Sequence, residues 1–157
     1  MVELVPMAEP ELAEFLVVAV PGYAAEHVRA GDWSEEGALE RSAAEFAKLL
    51  PDGVATPDHY LFTIRDPALP AVVGMLCFAV RSGPAGRSAF VYNLEIGPAY
   101  RRRGYASQAF REMEQHVRAL GIGAIGLHVF GGNHAAQALY AKLGYEVTNV
   151  IMKKALR

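Results

Sequence analysis

The apolar residues of this 157-residue chain change their period near Pro57, and that change limits the folds open to it. Before it the spacing is helical. Leu12, Phe15, Leu16 and Ala19 form one stripe, Pro10 suits a first turn, and Pro21-Gly22 predicts the end of that helix. A second short helix is predicted over Tyr23 to Ala30. A third is predicted from near Ser34 to Leu50, with Glu35 and Glu36 at the positive end of its dipole and Leu39, Ala43, Phe46, Leu49 and Leu50 along its apolar face.

After the change the residues alternate as strands do. His59 to Arg65, Ala71 to Arg81 and Ser88 to Ile96 are separated by the turn sequences Asp66–Pro70 and Ser82–Gly86, which predicts an antiparallel meander. A helix follows, with Tyr105, Ala109, Phe110, Met113, Val117 and Leu120 on one face. Then come a strand over Ala124 to Phe130, a short helix over His134 to Lys142 closed by Gly144, and a last strand over Tyr145 to Lys153. The order predicts a mixed α/β domain around one sheet.

The length fits one domain, with no linker or repeat to divide it. A net charge of −2 argues against a nucleic-acid binder held by bulk electrostatics. Cys77 is the one cysteine and sits in the apolar run Val72–Val80, so a buried, inert thiol is expected and a disulfide or cysteine-based zinc site is not. His59, His116 and His134 read as surface residues without metal-ligand spacing, and no metal is expected. Met1 to Pro10 has neither the basic start of a signal peptide nor the length of a membrane span, so a cytoplasmic protein is the simplest expectation.

The most informative segment is Ile96-Gly97-Pro98-Ala99-Tyr100-Arg101-Arg102-Arg103-Gly104-Tyr105-Ala106, which joins a strand end to an amphipathic helix. A helix N-terminus presents unpaired N–H groups and a partial positive charge, and the two together favour phosphate. Gly104 and the small Ala106 allow close approach to the backbone, and three arginines add charge. Four or five hydrogen bonds to a charged group, at about 1.5–3 kcal/mol each, suffice for a pyrophosphate. No Gly-Lys-Ser/Thr loop and no G-x-G-x-x-G accompanies it.

Arg101-Arg102-Arg103-Gly104-Tyr105-Ala106 resembles the Gln/Arg-x-x-Gly-x-Gly/Ala motif of the GCN5-related N-acetyltransferases (GNAT). The run from Leu127 to Tyr145 is similar to that family's next strand and helix, with its Asn, Ala, Leu-Tyr and Leu-Gly-aromatic positions in register. The resemblance implies the acyl-CoA N-acyltransferase fold, classed α/β (α+β), with a single mixed, mostly antiparallel central sheet flanked by helices. Residues 1–157 then form one domain: an acceptor-side helical region over 1–56, the meander over 58–98 and an acetyl-CoA-binding core over 99–157.

The resemblance also implies roles. Arg101, Arg102, Arg103, Gly104, Tyr105, Ala106 and Ser107 would hold the pyrophosphate of acetyl-CoA, the acyl-donor co-substrate, through their backbone. Leu94 and Ile96 would pair with the pantetheine arm. The strands ending at Ile96 and at Leu127–Val129 would splay to admit the thioester. Asn133 matches an arm-contacting asparagine and is equally a good N-cap. Tyr140 matches the tyrosine that protonates the departing thiolate, and is also placed as a core aromatic beside Ala136, Leu139 and Leu143. Glu95 and His128 are the candidate bases, directly or through water, or else polar residues on a wet sheet face.

The expected reaction is direct transfer of acetyl to a primary amine, on a small molecule or a peptide, in a ternary complex. Neither nucleic acid nor membrane is an expected partner, and a homodimer is open. Two other readings stand beside it: a non-catalytic acyl-CoA-binding or regulatory module, and a nucleic-acid binder using the arginines. For the acceptor, Trp33, Tyr23, Tyr60, Glu35 and Glu36 could frame an aromatic, acidic slot, or Trp33 could pack under the first helices.

Overall fold

The computed structural model describes residues 1–157. One sheet of five strands runs in the order β1-β2-β3-β4-β5, with β1 Glu3–Pro6, β2 His59–Arg65, β3 Val72–Gly83, β4 Gly86–Ile96 and β5 Ile125–Leu127. The first three pairings are antiparallel and the β4–β5 pairing is parallel. The helices are α1 Glu9–Ala30, α2 Ala38–Leu49, α3 Tyr105–Ala119 and α4 His134–Lys142. A mixed, mostly antiparallel sheet flanked by helices is therefore present.

Two cores form on its two faces. Leu76, Phe78, Ala89 and Val91 pack with Ala109, Phe110, Met113 and Val117 of α3. On the other face Leu61 and Cys77 pack with Leu12, Phe15 and Ala19 of α1. Cys77 is fully buried there, and burial pushes its thiol up to about 12.

The N-terminal part departs from the sequence reading in three ways. First, β1 was not expected; its four residues pair with Phe62–Arg65, some sixty positions away, and end in Pro6. Second, α1 continues through Pro21 instead of stopping there. An interior proline leaves the carbonyl four residues back without a donor. That residue is Val17, which lies with Pro21 on the exposed face, where water can serve it. Leu12, Phe15, Ala19 and Ala24 are buried on both sides of the proline, and their packing outweighs its cost of about 3 kcal/mol. Third, α2 starts at Ala38 after a left-handed Gly37, so Glu35 and Glu36 precede it. Its buried face carries Ala38 and Ser42, while Leu39 and Ala43 are exposed. The Ser42 hydroxyl, with no exposure, donates to the Val20 carbonyl at 2.7 Å. That bond removes the penalty for burying it.

Two smaller differences concern the ends of the prediction. β5 is three residues long, shorter than the expected strand over Ala124 to Phe130. Residues 145–157 form no strand, although one was expected over Tyr145 to Lys153.

The detail that most shapes the cleft is in β4. Cys77 pairs with Asn93 and Phe78 with Val91, so Tyr92 is an extra residue, a β-bulge. Before the bulge Ala89 and Val91 face α3; after it Leu94 and Ile96 do. The bulge shifts the alternation by one, so Glu95 shares the α1 face with Tyr92.

Candidate active site

Parallel strands β4 and β5 pair only at Ala89–Ile125, Phe90–Gly126 and Val91–Leu127. Beyond that point their ends part. The opening is a cleft of about 800 Å³ lined by Tyr92–Ile96 on one side and Leu127–Phe130 on the other. Leu94, Glu95, Ile96, Arg101, His128, Asn133 and Tyr140 all line it, so the structure gathers seven of the singled-out residues around one space. Arg102, Arg103, Gly104, Tyr105, Ala106 and Ser107 continue from its rim into α3.

The arginines differ in their roles. Arg101 turns back, its Nε donating to the Ile96 carbonyl at 3.0 Å, and keeps its remaining donors at the cleft. Arg102 and Arg103 are exposed, and the Arg103 guanidinium stands 6.0 Å from the Tyr100 ring. Arg102 has φ 62°, a left-handed conformation uncommon outside glycine, and Gly104 follows at φ 80°. Strain of this kind collects at ligand clamps. Gly104 caps α3 without any side-chain hydrogen bond. The first intrahelical bond there is Gln108 N–H to the Gly104 carbonyl, so the N–H groups of Tyr105, Ala106 and Ser107 precede the ladder and have no helical partner. Only the backbone of Tyr105 can serve a ligand, because its ring is buried and its hydroxyl bonds Asp66.

Tyr140 is half-buried on α4, its ring 5.6 Å from that of Phe110. Burial, then the nearby charge of Glu26, raises its phenol above the ordinary value of 10.0, so the ring is protonated at neutral pH. Asn133 caps α4, its Oδ1 accepting from the Ala136 N–H at 3.2 Å. His128 is exposed beside β5, edge-on to Phe130 at 4.9 Å. Glu95 is the penultimate residue of β4 and projects on the α1 face, as the bulge dictates.

Of the residues that the sequence suggests for an acceptor slot, Tyr23 alone stands in the helical wall of the cleft. Tyr23, Glu26 and His27 of α1 and Glu45 and Phe46 of α2 supply it. Burial, followed by the Glu45 carboxylate, pushes the Tyr23 phenol up to about 12. Trp33 packs behind this wall, stacked on His27 at 4.2 Å and edge-on to Tyr23 at 5.6 Å. Tyr60 is not part of it, being stacked on Phe78 at 4.9 Å, and Glu35 and Glu36 are exposed ahead of α2. Asn93, next to the bulge, lines the cleft with a buried Oδ1 that has no hydrogen-bond partner. The helical period of residues 19, 23, 26 and 27 was the available signal for this wall.

His59 is half-buried, not on the surface, with Nδ1 3.1 Å from the Tyr92 hydroxyl, and burial lowers its pKa. No three His, Cys, Asp or Glu side chains are grouped as metal ligands, and no helix is long and apolar enough to cross a membrane.

Residues 24–145 match the model of the acetyltransferase (GNAT) family. The chain is 36% identical over 153 residues to the uncharacterized N-acetyltransferase YycN of Bacillus subtilis, covering 98% of this chain and 97% of that one. It is 31% identical over 150 residues to the uncharacterized N-acetyltransferase YdgE of the same organism, with 96% and 95% covered. The crystal structure of YycN superposes with a TM-score of 0.94 at 35% identity, covering 100% of this chain and 99% of that one.

The chain belongs to the GNAT family of N-acetyltransferases. It is an acyltransferase, and acetyl-CoA is the donor on which that family's enzymes draw.

Proposed function

We propose that this enzyme transfers acetyl from acetyl-CoA directly to a cationic primary amine held in the cleft between β4 and β5. The observation that carries the reading is the parting of those strands, with Glu95, His128 and Tyr140 around the same opening as the bulged end of β4. The unpaired N–H groups of Tyr105, Ala106 and Ser107, with Arg101 at the rim, suit the pyrophosphate. Leu94 and Ile96 offer main chain to the extended arm, and Asn93 and Asn133 offer polar side chains.

The acceptor enters from the α1–α2 side. Glu26, Glu45 and Glu95 face that space, whereas Arg81 and Arg101 are its cationic residues. Three carboxylates favour a cation. A lysine-like ammonium with pKa about 10.4 costs roughly 4–5 kcal/mol to neutralise at pH 7, so a base beside it matters. Glu95 or His128 accepts that proton, directly or through water. The amine nitrogen then bonds to the thioester carbonyl carbon, the C–S bond breaks, and the thiolate takes a proton from the Tyr140 hydroxyl.

Thiol release from acetyl-CoA across a panel of amines tests the reading. Polyamine-like and lysine-like acceptors should give the fastest release, and Tyr140→Phe should slow it. Tight acetyl-CoA binding with no release for any amine would instead mark a non-catalytic acyl-CoA-binding module.

A further inference from the structure

The cleft continues well past the splayed strand ends, and its two ends differ in charge. Glu95 and Tyr140 line one end, and Glu26 is near enough for its charge to raise the Tyr140 phenol. From there the floor follows the α1 face of the sheet. Leu76, Phe78 and Val80 of β3 pack toward α3, so alternation turns Met75, Cys77, Ala79 and Arg81 the other way. On β4, Ala89 and Val91 also pack toward α3, which leaves Phe90 and Tyr92 on the α1 face. Arg81, Phe90, Tyr92 and Glu95 all line the cleft.

Arg81 stands at the far end of this floor, its guanidinium 3.9 Å from the centre of the Phe90 ring. None of the chain's ion pairs includes it. Stacking on an aromatic face fixes the plane of a guanidinium and leaves its edge donors free, the geometry that takes a carboxylate through two parallel hydrogen bonds. Arg101, the other cation of the cleft, is turned to the Ile96 carbonyl at the opposite end. The separation follows from the register. Phe90 pairs with Ala79 and Glu95 with Met75, four positions apart along β3, which is about 13 Å in a strand. Val18 and Gly22 of α1 also line the cleft, and a side chain at Gly22 would meet no atom within 4 Å, so the space over the floor is open.

We infer that the acceptor is an extended molecule carrying a carboxylate about 13 Å from its reacting amine, and that Arg81 selects it by that carboxylate. The inference rests on amine acetylation in this cleft and adds a second anchor for the substrate. A linear peptide of about four residues has this span when extended. Its ammonium group meets Glu26 and Glu95, and its carboxylate meets Arg81. A diamine of the same length makes only the first of these contacts.

Thiol release with oligoglycines of increasing length, each as the free acid and as the C-terminal amide, tests it. Both forms present the same amine, so the ratio of their kcat/KM values isolates the carboxylate. In the wild type the ratio should peak near tetraglycine, with the acid preferred roughly fivefold, the upper worth of an exposed charge pair. Arg81→Gln should bring the ratio to about one. Arg81→Lys, which keeps the charge and loses the planar fork, should restore part of it. A wild-type ratio near one, a ratio indifferent to peptide length, or a preference that survives Arg81→Gln would overturn the inference. Turnover of other amines but of no peptide would overturn it too. Thiol release with no amine at all would instead sink the transferase reading beneath it, and this inference with that reading.

Discussion

The Tyr105 hydroxyl donates to Asp66 Oδ2 at 2.7 Å, tying the first residue of α3 to the turn between β2 and β3. The bond holds the Asp66 carboxyl below its ordinary value of 3.8 and the Tyr105 phenol above its ordinary 10.0. Its contribution to stability is therefore complete between those limits. It is lost as pH falls through the lowered Asp66 value, and again as pH rises through the raised Tyr105 value. Denaturant melts of wild type and Tyr105→Phe across pH should differ most near neutrality and converge at both extremes. Because α3 begins at this tyrosine, the variant should also bind acetyl-CoA more weakly.

Tyr140→Phe should lower kcat by about a hundredfold, the low end of what general acid catalysis supplies. The KM for acetyl-CoA should hardly change, because in the proposed mechanism the hydroxyl acts on the leaving thiolate. Steady-state kinetics separate the two, and because phenylalanine keeps the ring against Phe110, an unchanged kcat would mark Tyr140 as a packing residue only.

Glu26 is half-buried in the helical wall, close enough for its charge to raise both Tyr23 and Tyr140. Glu26→Gln should raise the KM for a cationic acceptor by about tenfold, the worth of one charge-assisted hydrogen bond, with acetyl-CoA affinity unchanged. For a neutral or weakly basic acceptor the same change should matter little. A comparison of the two acceptor types in one assay decides it.

Gly74 pairs with Ile96 at the end of β3, and a Cβ there would run into the Glu95 carbonyl. The obstacle is backbone, so it cannot swing aside as a side chain would. Gly74→Ala should lower the unfolding midpoint and, by pushing β4 outward at Glu95, reduce turnover more than Tyr105→Phe does. Thermal melts and kinetics on the same preparations check both effects.

Much of this was readable in the sequence where the determinants are local. The buried face of α3, Tyr105, Ala109, Phe110, Met113 and Val117, follows from helical spacing alone, and β2 has the bounds that alternation predicts. The loop from Arg101 to Ala106 was legible because strand end, glycine and helix start are neighbours in the chain. Features set by distant partners were not. β1 exists because Phe62–Arg65 offers it an edge, α1 survives Pro21 because packing holds both its halves, and α2 hides its face behind a serine whose partner is Val20. Glu26 and Glu45 read as solvated charges until α1 and α2 are brought over the end of β4. The one-residue offset at Tyr92 leaves no mark in composition, since an alternating strand looks alike in either phase.

That offset has a consequence for how this strand can change. Were Tyr92 drawn into unbroken alternation instead of bulging out, the end of β4 would turn over like a page: Glu95 would be pressed among the side chains of α3, and the greasy flank of Ile96 would face the cleft. Deleting Tyr92 outright would take away only the extra residue and leave Glu95 opposite Met75, because the pairs Phe78–Val91 and Cys77–Asn93 already fit an unbroken ladder.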